Sequence, residues 1–305
     1  MITRRNFIKG SSLALASLAI SPSLRAFKKY GRIVGVQLYC VRDEMKADPL
    51  GTLDALAKMG YKYVEHANYV DGKFYGYAAK EFKKVLNDYG LKMPSGHTVL
   101  GMNHWVNAKK DFTNTWKRLV DDAATMGQQY VVSPWMDENS RKNEDDFKRL
   151  LEIYNKAGEG CKKRGMKFGY HNHDFEFSEK LGGQTLYDLI MANTDPNLVI
   201  QQLDTGNLYN GGAVAKEIVS RYPGRFPSIH VKDEIPSTSG GHEKYESCIL
   251  GEGIVELEAL LQELVRTNPE AHLIIEQESY QGKLPLACMQ RDLHVMERWG
   301  YQKPK

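Results

Sequence analysis

The sequence predicts an α/β protein of the (β/α)8 class, a parallel eight-stranded barrel ringed by helices. Three observations carry this. Short apolar runs alternate with longer amphipathic ones eight times between residues 32 and 298. Without a detachable N-terminal segment, the remaining chain has the length such a barrel needs, typically about 250 residues. No Gly-rich phosphate turn follows the first apolar run, where "QLYCVRDEM" stands. That turn usually marks the competing open, doubly wound sheet.

Each unit has its own signals. "RIVGVQLYCV" (32–41) is β-branched without helical period and reads as the first strand. Its helix has Asp48 as N-cap, Pro49 at the first helical position and Gly60 as stop. The second unit is a strand at 61–67 and a helix at 77–89; the third, a strand at 91–97 and a helix at 108–126; the fourth, a strand at 128–135 and a helix at 143–164. Gly90, Gly127 and Gly165 end these three helices. Strands at 166–173, 198–204, 225–232 and 272–279 follow, with helices near 184–193, 213–221, 255–266 and 285–298. Two segments after strands, 97–107 and 233–253, are long enough for binding loops or lids. In such barrels that face carries the chemistry.

Composition narrows the function. The chain has 305 residues, 42% of them hydrophobic, enough for one large core. Its 41 basic and 38 acidic residues are well mixed, so no groove for a nucleic acid partner is expected. Cys40, Cys161, Cys248 and Cys288 form no CxxC pair and read neither as a zinc site nor as a disulfide framework. At the N-terminus, "TRRNFIKG" precedes the short apolar run "SLALASLAI". A charged start and an apolar run too short to span a bilayer mark a signal peptide. Arg4 and Arg5 with Phe7 and Lys9 resemble a twin-arginine export signal. Residues 1–26 are therefore expected to be removed near Ala26, and residues 27–305 to form the barrel domain. The expected location is the periplasm, reached through the twin-arginine machinery, where phosphorylated sugars are not normally met.

Alternation of side chains then locates a site. "YHNHDF" (170–175) places His171 and His173 two apart, on one face of a strand and at its C-terminal end. By the same test Asp204 shares a face with Gln202; Ser228, His230 and Lys232 share another, as do Ile274, Glu276 and Glu278. Glu65 and His97 end the second and third strands, and Gln37 and Tyr39 stand near the end of the first. Ionisable groups so placed converge on the barrel mouth, where unpaired charge is costly. One divalent cation would relieve that cost, and a mixed His/Asp/Glu set suits Mn²⁺, Zn²⁺, Co²⁺ or Fe²⁺, Mn²⁺ foremost, rather than Ca²⁺. Singly, each residue has a plainer reading: a hydrogen-bonded His, a solvated Glu, or an Asp204 that caps a turn.

The motifs "YHNHDFEF", "LDTGN", "IHVKD", "GEG" and "IIEQES" resemble the xylose isomerase-like TIM barrels, a superfamily of sugar and sugar phosphate isomerases and epimerases that also contains endonuclease IV-type repair enzymes. The resemblance covers about residues 30–300 and implies a metal held at the ends of the last four strands. Carried over by position, Asp204, His230 and Glu276 match three ligands. The fourth departs: His171 stands where the epimerases have Glu, and Asn207 where many have a substrate-binding His. The two-carboxylate proton exchange of those epimerases is thereby broken, so one-sided proton chemistry is expected.

The resemblance implies a metal-dependent enzyme that removes a proton α to the carbonyl of a keto sugar. Glu276 or His173 would be the base, with Glu65 and Glu278 orienting them. Lys232 would donate to the developing oxyanion, or else pair with Glu278 or Glu65. His97, Asn207 and Glu278 are expected to contact substrate, and Trp105 and Trp135 to stack on a sugar face or pack under a loop. Two outcomes compete: isomerisation or epimerisation, and elimination or hydrolysis of a 3-keto-glycoside. A non-catalytic periplasmic sugar-binding barrel is the alternative of a different class. A homo-oligomer is compatible with all three.

Overall fold

The computed structural model describes residues 32–237 and 244–303; the export segment expected at residues 1–26 lies outside them. Eight strands close one parallel barrel: β1 (Val34–Gln37), β2 (Tyr63–His66), β3 (Lys92–His97), β4 (Tyr130–Ser133), β5 (Lys167–His171), β6 (Val199–Asp204), β7 (Ser228–Val231) and β8 (His272–Ile275). Each pairs with its neighbours in sequence, and β8 closes on β1 through Val34–Leu273, Gly35–Ile274 and Val36–Ile275.

The surrounding helices are α1 (Pro49–Met59), α2 (Ala79–Asp88), α3 (Asn114–Met126), α4 (Glu144–Lys162), α5 (Leu186–Asn193), α6 (Ala215–Arg221), α7 (Leu257–Thr267) and α8 (Pro285–Arg298). Local chemistry sets their starts. Asp48 accepts from the Gly51 N–H at 3.0 Å, Pro49 opens α1, and Gly60 ends it at φ 123°. Asn143 accepts from the Asp146 N–H at 2.9 Å to open α4.

Outward strand residues meet these helices. Val34, Val36, Val64, Ile229, Val231, Leu273 and Ile275 pack with Leu53, Leu56, Leu261 and Leu293. On the opposite side Phe168 and Tyr170 pack with Phe147, Leu151 and Tyr154. Each such aliphatic side chain stabilises the fold by about 1.5–3 kcal/mol relative to exposure. The barrel floor is filled from within. A Cβ at Gly35 would stand 3.1 Å from Ile274 Cδ1, and one at Gly169 would stand 3.0 Å from Ile200 Cγ1. Two glycines thus make room for two isoleucines.

Several boundaries differ from expectation. The first strand stops at Gln37, and Leu38–Val41 coil into a 3-10 turn. The third helix starts at Asn114, not near 108, because Trp105–Val106 pairs with Asp111–Phe112 in a hairpin. The fifth strand stops at His171, so strand alternation does not itself place His173. In the long segment after β7, Asp233–Pro236 pairs with Tyr245–Cys248.

Candidate active site at the barrel mouth

The site grows from the ends of the last four strands. His171 ends β5, Asp204 ends β6, His230 lies within β7, and Glu276 follows β8 by one residue. One donor atom from each of the four lies within 4.8 Å of the donors of the other three. His230 Nδ1 is 2.9 Å from Glu276 Oε2 and 4.0 Å from Asp204 Oδ2.

Of the two readings that the sequence left open for Asp204, a turn cap and a metal donor, the structure shows the cap. Asp204 Oδ1 accepts from the Asn207 N–H at 2.6 Å and caps the short helix Thr205–Asn210. Its Oδ2 is buried without a hydrogen-bond partner, as is His171 Nδ1. Asn172 holds the turn: its Oδ1 accepts from the Asp204 N–H at 3.0 Å, and its own carbonyl accepts from Asn207 Nδ2 at 3.1 Å.

Electrostatics follow from the burial of so many ionisable groups together. Burial, augmented by Glu276, pushes the Asp204 carboxyl well above the usual carboxylate range. Burial favours the neutral acid at Glu276 too, yet His230 and Lys232 hold its pKa well down. Burial and the neighbouring His230 keep the His171 ring far below the ordinary imidazole value, hence neutral with a lone pair to offer. For His230, burial is outweighed by the carboxylates of Glu276 and Glu65, which raise it to about 10. Orphaned donors, crowded carboxylates and a mixed N/O set all fit one first-row divalent ion. His171, Asp204, His230 and Glu276 would hold it.

Beneath these residues lies a polar layer. Glu65 has 0% exposure; its oxygens accept from Gln37 Nε2 at 2.7 Å, from Gln202 Nε2 at 2.9 Å and from Ser95 Oγ. His230 Nε2 reaches the same carboxylate at 2.7 Å and His97 Nε2 at 3.1 Å. Burial opposes ionisation of Glu65, but the two imidazoles lower its pKa to about 2. Glu65 thus braces the site from below. The His97 ring lies parallel to that of His230, with centroids 5.0 Å apart.

Above them opens a cleft of about 460 Å³, within the size range of small-molecule sites. His97, His171, His173, Asn207, Glu276, Glu278 and Trp135 all line it. Trp135, 44% exposed, meets His173 edge-on at 4.9 Å. Burial and Lys232 lower the His173 pKa to about 4, so its ring is neutral. Lys232 pairs with Glu278 and donates to Asn207 Oδ1 at 3.2 Å; of the two partners expected for it, Glu278 is the one it meets. Trp105 is not part of the cleft wall: its ring packs edge-on against Phe112 across the hairpin, at 5.0 Å.

Sequence reasoning gave Glu176 no role. Its carboxyl accepts from the His173 N–H at 2.8 Å and from Tyr170 Oη, and burial raises it to about 8. A Glu between two phenylalanines carries no mark that separates it from a surface residue.

Comparison with known proteins agrees with this architecture. A family model described as "Xylose isomerase-like TIM barrel" matches residues 53–299. The chain belongs to the xylose isomerase-like TIM barrel family. Family membership confirms the expected barrel and the resemblance drawn from the strand-end motifs. An inosose dehydratase of Clostridium perfringens is 30% identical over 186 residues, 55% of this chain. The chain spans about three fifths of that relative's length, 61%. Two crystal structures of sugar phosphate isomerase/epimerase proteins from Parabacteroides distasonis superpose with TM-scores of 0.73 and 0.70, at 26% and 25% identity. They cover 87% of this chain and 95% and 97% of their own.

Proposed function

We propose that this family member enolises a cyclic keto sugar and then expels the substituent β to the ketone, as a lyase or hydrolase of 3-keto-glycosides. The observation that carries the reading is the asymmetry of the cleft wall. Of the two positions that carry glutamates in the resembling epimerases, only Glu276 is a carboxylate; His171 occupies the other. One-sided removal of a proton suits elimination better than its return on the opposite face. The name of the inosose dehydratase relatives supports the same choice.

A divalent ion on the four donors would supply Lewis acidity to the ketone. The rest falls to the chain. Trp135 offers a face for the ring, and Asn207 and Glu278 offer polar partners to its hydroxyls. His173, neutral and outside the four-donor set, takes the proton from the carbon between the ketone and the glycosidic carbon. The C–H electron pair forms the enolate, and the carbonyl pair moves onto the ketone oxygen. When the carbonyl re-forms, the enolate pair becomes the C=C bond to the glycosidic carbon and the C–O pair leaves with the departing oxygen. The departing oxygen receives a proton from the imidazolium formed at His173. Lys232 Nζ, kept protonated by Glu278 despite burial, contributes positive charge beside the developing oxyanion.

A second reading, isomerisation or epimerisation, is favoured by the names of the Parabacteroides distasonis structures. Incubation of the metal-loaded protein with a 3-keto-glucoside and with free ketoses separates the two. Release of the aglycone supports elimination. Solvent exchange at C2 or C3 with a new sugar isomer and no release overturns it. The twin-arginine start supports a periplasmic setting, which fractionation of the native host tests.

A further inference from the structure

The metal-donor cleft does not end at the reacting centre. A second cavity of about 450 Å³, lined by Arg42, Lys46, Pro49 and Tyr75 among others, shares Tyr39, Ala67 and Asn68 with the first. Tyr39 forms the saddle between the two and is 42% exposed. It is a built wall. The Arg42 guanidinium lies 4.7 Å from the centre of the Tyr39 ring, and its Nη1 donates to Tyr39 O at 3.1 Å and to Tyr280 Oη at 3.3 Å. Tyr280 Oη in turn donates to Cys40 O at 2.5 Å. The Tyr39 N–H donates to Gln37 Oε1 at 3.2 Å, which ties the saddle to the polar layer under the site. A ring so anchored presents a fixed aromatic face, the kind that sugars and aryl groups stack on.

The charge of the inner cavity restricts what it accepts. Among the described residues that line it there is no lysine or arginine. The nearby cation, Lys232, is already bound to Glu278 and Asn207. A phosphate on the reacting sugar would find no unengaged ammonium or guanidinium in this wall.

We infer that the substrate is an uncharged glycoside of two units, whose reacting sugar sits at the four-donor cluster while its aglycone crosses Tyr39 into the second cavity. This rests on the reading of the site as a carbohydrate enzyme's and names the class of carbohydrate. Binding tests it without requiring turnover. The Mn²⁺-loaded chain is titrated calorimetrically with p-nitrophenyl β-D-glucopyranoside, methyl β-D-glucopyranoside and glucose 6-phosphate. The aryl glucoside is expected to bind roughly five-fold or more tightly than the methyl glucoside, and glucose 6-phosphate most weakly. Tyr39→Ala should erase the aryl-to-methyl ratio and Tyr39→Phe should keep it, with melting curves verifying that both variants fold. Tightest binding of the phosphate, an aryl preference that survives in Tyr39→Ala, or no binding by any of the three overturns the inference. Failure to cleave keto-glycosides while the binding pattern holds would instead overturn the proposed reaction and leave the two-unit site standing.

Discussion

His230 Nε2 lies 2.7 Å from Glu65 Oε1, and neither side chain has any exposure to solvent. The carboxylate fixes the ring so that Nδ1 points at Asp204 and Glu276. Partners of this kind orient a metal-binding imidazole and raise its basicity. Glu65→Gln is therefore expected to weaken metal binding about 10–100-fold while the circular dichroism spectrum stays that of the wild type. Metal titration of both proteins measures it; equal affinities would remove Glu65 from this role.

Substitution of the donors themselves separates metal binding from folding. In Asp204→Asn the amide oxygen can still accept from the Asn207 N–H, but a crowded, buried carboxylate is gone. Metal content by elemental analysis should fall to background, as it should in His230→Ala and Glu276→Ala. In chelator-treated protein, however, Asp204→Asn should melt higher than the wild type, because no ion offsets the cost of burying this carboxyl beside Glu276 there. Full metal content and turnover in all three variants would dismantle the site.

Gly96 illustrates packing outside the barrel. A Cβ added there would stand 1.8 Å from His66 Cδ2, and His66 is buried against Phe74. Gly96→Ala should cost about 1–3 kcal/mol by overpacking. Paired with His66→Ala, the same change should cost much less, and a double-mutant cycle by urea unfolding reads the coupling. Additive effects would mean that the ring and the glycine do not compete for the same space.

Asp292 predicts a pH dependence. Burial raises its carboxyl to about 8; Oδ1 accepts from the Leu250 N–H at 2.9 Å, and Oδ2 is buried without a partner. A folded-state pKa above the unfolded value of about 3.9 means the folded chain holds the proton more tightly. The wild type therefore loses stability from this group as pH rises from about 4 to about 8. Asp292→Asn keeps the acceptor and removes the titration. It should add about 1–4 kcal/mol at pH 8 and nearly nothing at pH 4. Thermal melts across that range check it, and a gain independent of pH would refute the assignment.

Much of the site was legible because strand alternation is a local property. Peptide geometry sends successive side chains to opposite faces, so the inward direction of Asp204, His230 and the residues that follow Ile274 could be read from two or three apolar neighbours. The same reasoning misplaced what lies past the last paired residue. His173 reaches the cleft from a turn whose backbone N–H donates to Glu176, not from a strand. Trp105 turns into a hairpin that no local periodicity announced.

By itself the sequence determined the barrel, its eight repeated units and the residue types gathered at its mouth, since turn chemistry and hydrophobic period act over a few residues at a time. Only the tertiary structure decided which of those groups meet. Lys232 could reach Glu278 or Glu65 by parity and pairs with Glu278, while Glu65 sinks into a layer with Gln37, Ser95 and Gln202. Tyr39 became the saddle between two cavities because Arg42 and Tyr280, 238 residues apart in the chain, close around it. Such pairings depend on barrel closure, which brings residues distant in sequence to within a hydrogen bond of one another.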